Sequence, residues 1–157
     1  MIRIVWGTGS AESPSASFDV ALAAAGVHQY NLREVSSVIP GGVPVEVVGT
    51  APELGPTGEG ISVALARQTG SPGVRATAGL AWARDDAGEG PGVLSEVEGH
   101  DPQTVRGLLN AGIERGCDLR DIDDPAVGTK VITAEPASNG YTTAVALAVY
   151  GDSDPLL

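Results

Sequence analysis

The chain has one cysteine, Cys117, and one lysine, Lys130, in 157 residues, and aromatic residues make up 4% of it. A lone cysteine closes no internal disulfide. Together with two scattered histidines, His28 and His100, it supplies no recognisable zinc-type ligand cluster, so no metal is expected. With so few large rings, the core must be built from Val, Ala, Leu and Ile, with Trp6 and Trp82 as its bulkiest pieces. No apolar run approaches the roughly 18 residues that a membrane span requires. The opening MIRIVWG lacks the basic-then-apolar layout of a secretory signal, so the expected location is cytoplasmic and no membrane partner is expected. Basic residues are scarce too, nine against twenty acids, for a net charge of −11. Such a surface repels phosphate backbones and argues against nucleic acid as a partner. Two readings of the charge stay open: a protein kept soluble in a high-salt cytoplasm, or an ordinary acidic protein.

What is present fits a single domain spanning 1–157. MIRIVW alternates like a strand and runs into a glycine-rich stretch that reads as a turn. In ESPSASFDVALAAAG, Ser13 is placed to cap a helix with Pro14 in its first turn. Phe18, Ala21, Leu22 and Ala25 share one face, and Gly26 stops it. VHQYNLREV (27–35) reads as a strand that ends at Pro40, Gly41 and Gly42. VPVEVVG is a further strand, residues 50–60 a loop, and ISVALARQ with GVRATAGLAWAR two strands able to form a hairpin. Residues 85–92 form a polar turn before VLSEVEG, a strand with Glu96 and Glu98 on one face. A second helix follows, with Asp101 as cap, Pro102 in the first turn, Val105, Leu108, Leu109 and Ile113 as buried stripe, and Gly116 at its end. VGTKVITAEPA and GYTTAVALAVYG close the chain as an antiparallel pair around Asn139 and Gly140. Two helices and about eight strands on short connections predict an α+β domain, sheet-rich, mostly antiparallel and layered. The unbroken apolar character of the last strand predicts burial on both faces.

Several chemistries are absent. GTGSAE resembles a dinucleotide loop, but Glu12 takes the place of the third glycine and would repel a pyrophosphate. No phosphate-binding Gly-Lys loop and no G-x-S-x-G or S-x-x-K serine motif occurs. DLRDIDDP lacks the glycine and terminal glutamate of a calcium loop and reads as a solvated acidic loop. Lys130 satisfies the lysine requirement of a pyridoxal phosphate enzyme, yet nothing resembles a phosphate cup.

Ser36 and Ser37 offer another source of a reactive carbonyl. If the chain bends sharply between them, the Ser37 hydroxyl can attack the Ser36 carbonyl. Elimination and loss of ammonia then leave a pyruvoyl group at a new N-terminus. By itself the pair is weak, because hydroxyls at strand ends routinely serve backbone groups.

The wider pattern is more specific. SPSASFDVALAAAGVHQYNLREVSSVIP after a glycine-rich stretch, then SEVEGH before a helix and closing strands, resembles the pyruvoyl-dependent arginine decarboxylases. The resemblance implies a four-layer αββα sandwich and self-cleavage into 1–36 (beta chain) and 37–157 (alpha chain). It also implies a homotrimer or a dimer of trimers, with sites between subunits. Ser37 becomes the covalent pyruvoyl group, which forms a Schiff base with the substrate amine and draws electrons from the breaking bond. Glu96 matches the family's proton donor, Asn31 an asparagine beside the reacting carbonyl, and Asp19 the acid that receives the guanidinium of arginine. The product is agmatine with carbon dioxide. Each residue also has a plain structural reading: Asp19 as a helix-dipole partner, Glu96 as a wet strand face, Asn31 as a strand-end hydrogen-bonder. A pyruvoyl decarboxylase of histidine or aspartate, or an uncleaved oligomeric ligand-binding protein, are the competing functions.

Overall fold

A computed structural model describes residues 1–85 and 88–157. The elements run β1 (Ile2–Ala11), α1 (Pro14–Ala24), β2 (Asn31–Glu34), β3 (Val38–Ile39), β4 (Val45–Gly49), β5 (Gly60–Gly70) and β6 (Ala76–Arg84). The chain continues with β7 (Gly92–Gly99), α2 (Pro102–Leu119), β8 (Ala126–Ala134) and β9 (Tyr141–Asp154). Alternation along β9 organises the whole molecule. Ala144, Ala146 and Ala148 point one way, and Val145, Leu147 and Val149 the other. The alanine face meets Ala64, Ala66, Ala76, Ala78 and Leu80 in a layer between two sheets. The larger side chains meet Ala21, Leu22 and Ala25 of α1. On the far side Val105, Leu109, Ile113 and Cys117 of α2 cover Ala81, Ala83 and Val93. The result is the layered α+β architecture expected: α1, a five-stranded sheet, a four-stranded sheet, α2.

The five-stranded sheet has the order β2-β5-β9-β1-β4 and the four-stranded sheet the order β3-β7-β6-β8. Most pairings are antiparallel, but β1–β4 and β2–β5 are parallel. Their crossovers are long because they contain other elements, a route the short individual turns concealed. Neither expected hairpin forms. β5 pairs with β2 and β9, while β6 pairs with β7 and β8. β8 likewise stays in the four-stranded sheet, while β9 sits between β1 and β5. In both cases the short connection carries the chain from one sheet to the other.

The GTGSAE stretch is strand, not turn, since β1 continues to Ala11 in full register with β9. A Cβ on Gly7 or Gly9 would overlap α1 backbone at Ala21. The two glycines therefore let the helix lie close on the sheet. Both helix starts match the sequence reading: the Ser13 side chain accepts from the Ala16 amide and the Asp101 side chain from the Thr104 amide. α2 runs past Gly116 to Leu119, because Gly116 lies inside the helix against Val93, with no turn there. Leu108 is 54% exposed and leaves the stripe to Val105, Leu109 and Ile113. Only residues 31–34 of the expected 27–35 strand pair. Val27 and Tyr30 instead close turn bonds to Leu22 and Val27. In the expected 85–92 turn, Asp86 and Ala87 lie outside the described residues. No described helix is long and apolar enough to cross a membrane.

Candidate active site

β2 lies in the five-stranded sheet and β3 in the four-stranded one, so residues 35–37 carry the chain across the seam between them. The Val35 amide still donates to Val63 of β5, at 2.9 Å, whereas the Ser37 carbonyl already accepts from Leu94 of β7, at 2.9 Å. The whole change of sheet is concentrated in the peptide units around Ser36. Ser36 is exposed, while Ser37 is 8% exposed and has φ 64°, in the left-handed region. For a residue with a Cβ that conformation costs about 1–3 kcal/mol, so the surroundings must hold it there.

The holder is on β7. Leu94, Glu96 and Glu98 share one face of β7, which runs from buried Leu94 through half-buried Glu96, opposite Leu80, to exposed Glu98, opposite Ala78. The Ser37 hydroxyl donates a hydrogen bond to Glu96 Oε1. Burial pushes the Glu96 carboxyl above its ordinary pKa, the bond from Ser37 pulls it back, and the negative charge of Glu34 adds to the rise. Glu98 is raised as well, first by burial and then by Glu96, with Arg67 opposing. From the other sheet, the Tyr150 hydroxyl donates to the Val38 carbonyl at 2.9 Å. Burial, with the neighbouring charge of Glu96, pushes that phenol up to about 12.

Asp19 and Asn31 lie elsewhere. They line an open cleft of about 680 Å³ on the α1 side of the five-stranded sheet, with Phe18, Tyr30, Glu34 and Arg67. Ser37 and Glu96 are not among its walls. Asp19 is exposed on α1, and Asn31 donates from Nδ2 to the Gly58 carbonyl at 2.8 Å. The Arg67 guanidinium carbon sits 4.6 Å from the centroid of the Phe18 ring. Glu34 belongs to both places, as a wall of the cleft and as a charge felt by Glu96 and Glu98. Thus the structure brings Ser37 to Glu96 and Asp19 to Asn31, and keeps the two pairs apart within one chain.

Residues 1–155 match the family model for pyruvoyl-dependent arginine decarboxylase. The chain belongs to that family. Relatives named pyruvoyl-dependent arginine decarboxylase from two strains of Halobacterium salinarum are each 46% identical over 159 residues, covering 99% of this chain and 96% of the relative. One of the same name from Methanopyrus kandleri is 31% identical over 148 residues, covering 94% of this chain and 93% of its own.

A member of the pyruvoyl-dependent arginine decarboxylase family is a lyase whose ketone is covalently bound pyruvoyl. The residues at the seam suit such a group. A hydroxyl on a left-handed backbone, bonded to a half-buried carboxyl, fits a pyruvoyl group at residue 37. Three residues of the decarboxylase's two clusters escaped the sequence reading. Glu34 and Arg67 are charges placed where strands of apolar alternation meet a cleft, which is the signal they carried. Tyr150, one of three tyrosines, follows directly on the buried run of β9, where a polar tip would have marked it.

Proposed function

We propose that this decarboxylase cuts its own chain between Ser36 and Ser37 and converts L-arginine to agmatine and carbon dioxide. The observation that carries the reading is the Ser37 hydroxyl held on Glu96 by a left-handed backbone at the crossing between sheets. Glu96 takes the hydroxyl proton as Ser37 Oγ attacks the Ser36 carbonyl carbon. The Ser36–Ser37 C–N bond breaks, the nitrogen gains a proton, and an ester replaces the amide. Loss of the Ser37 Cα proton expels residue 36 as a free carboxylate and leaves dehydroalanine. Tautomerisation to the imine, addition of water and release of ammonia leave the ketone, with chains 1–36 and 37–157.

That ketone would offer an electrophilic carbonyl to the substrate's α-amine and a sink for the electron pair of the bond lost with carbon dioxide. Glu96 then serves as acid. Its raised pKa makes it a readier partner for returning a proton than an ordinary glutamate, here to the carbon that has lost its carboxylate. The carboxylates of Asp19 and Glu34 suit a planar guanidinium, which favours arginine over histidine or aspartate. Asn31, a wall of the cleft whose side chain is oriented by its bond to the Gly58 carbonyl, serves the reacting carbonyl. Because Asp19 opens on the α1 side and Ser37 lies in the seam, a second copy that brings its own cleft to this seam completes the site. A homotrimer or a pair of trimers in the cytoplasm is the assembly this supports.

Intact mass measurement tests the reading directly. Purified protein should give two fragments that meet between residues 36 and 37, and its products from arginine, histidine and aspartate should be agmatine alone. A single uncut chain overturns self-processing and favours a ligand-binding protein, and histamine or β-alanine as the main product overturns the substrate.

A further inference from the structure

We propose that Tyr150 is a positioning residue that tethers the new end of the long chain, holding residue 37 against Glu96 once the bond to Ser36 is gone. The inference rests on the cleavage reading above. In the continuous chain, residue 37 is secured from both directions: toward Val35, whose amide is bound to Val63 in one sheet, and toward β3 in the other. Cleavage removes the first of these. What remains on the far side is a strand of two residues, Val38 opposite Val93 and Ile39 opposite Gly92, at the edge of its sheet. A two-residue edge strand with a free end frays readily. Residue 37 would then leave the carboxyl it must face.

Tyr150 supplies the missing anchor from the opposite layer. It belongs to β9, the middle strand of the five-stranded sheet, and is paired there with Ile2 on one side and Ser62 on the other. Its backbone is therefore held from both sides, independently of the cleaved segment. Its side chain shares the inward face with Ala148 and packs against the inter-sheet core. The hydroxyl crosses the seam to the Val38 carbonyl, one peptide beyond the carbonyl of residue 37 that Leu94 holds. A phenol can donate this bond only while protonated, and its pKa of about 12 keeps it so throughout the range in which the enzyme would work. Two successive carbonyls are thus fixed from two different sheets. The arrangement constrains where the end of the chain sits, and not merely whether β3 exists.

Tyr150→Phe deletes one oxygen and preserves the ring that packs in the seam. The variant should still yield the two fragments on a denaturing gel. In the cleaved protein, deuterium uptake at the amides of Ile39 and Leu94 should accelerate about tenfold, as loss of one hydrogen bond implies. kcat should fall by a similar factor of about ten with KM little changed. The uncleaved background provides the control. In Ser37→Ala, where the chain is continuous, adding Tyr150→Phe should leave uptake at those amides nearly unaltered. Equal uptake in cleaved wild type and cleaved Tyr150→Phe overturns the tether. So does an equal acceleration in the uncleaved pair, which would mean that Tyr150 supports the strand in general. A wild-type chain that never cleaves is a different failure, visible on the gel alone, and it overturns the functional reading beneath.

Discussion

Ser37 and Glu96 meet in a seam closed by both sheets, whereas Asp19 and Asn31 line an open cleft beside α1. The first pair depends on burial: desolvation sets the Glu96 pKa, and a strained backbone sets the direction of the Ser37 hydroxyl. The second pair is solvated, and Asp19 offers an unobstructed charge. Bond-making needs geometry fixed before the substrate arrives, and recognition of a cation needs a carboxylate that a diffusing ligand can reach. Glu34, at the end of β2, lines the cleft and is sensed by Glu96, and Arg67 lines it and is sensed by Glu98.

That contrast breaks most visibly at Ser37. Ser37→Ala should remain one uncut chain by mass and release no carbon dioxide from arginine. Detectable turnover in the uncut variant would move the chemistry away from the seam. Glu96→Gln should lower kcat on the order of 10²–10⁴-fold in whatever fraction still cleaves, with steady-state kinetics as the measure. Asp19→Asn should cleave normally and show its loss in KM, about tenfold to a hundredfold, as expected for one charge-assisted contact. A loss in kcat at unchanged KM would show the cleft to be part of the chemical step. The smallest effect is on stability. Folded Glu96 binds its proton more tightly than unfolded Glu96 does. Its contribution is therefore fully present below the ordinary carboxylate pKa and is lost as pH rises through the raised value. Melting temperatures of uncleaved Ser37→Ala should fall over that window, and adding Glu96→Gln should flatten the slope.

Much of this was readable in the chain. The caps at Ser13 and Asp101, each followed by proline, placed both helix starts, because capping is a local exchange between a side chain and an amide three residues on. The placement of Glu96 and Glu98 on one face of β7 followed from the two-residue period of a strand. Family resemblance singled out Ser37, Glu96, Asn31 and Asp19. Strand partners were not readable: β5 with β6, and β8 with β9, look like hairpins from spacing, yet each pair is divided between sheets. Gly7 and Gly9 look like a turn until α1 is laid over them. Leu108 fits the stripe of α2 by period but falls at its margin.

Local pattern alone therefore dictated most element types, both helix starts and the burial of β9 on both faces, since each follows from neighbours within a few positions. Which sheet each strand joined, the left-handed turn at Ser37, and the meeting of that hydroxyl with Glu96 and of Tyr150 with Val38 came from assembly. The partners in those contacts are 59 and 112 residues apart, and no local rule relates them until two apolar layers are pressed together.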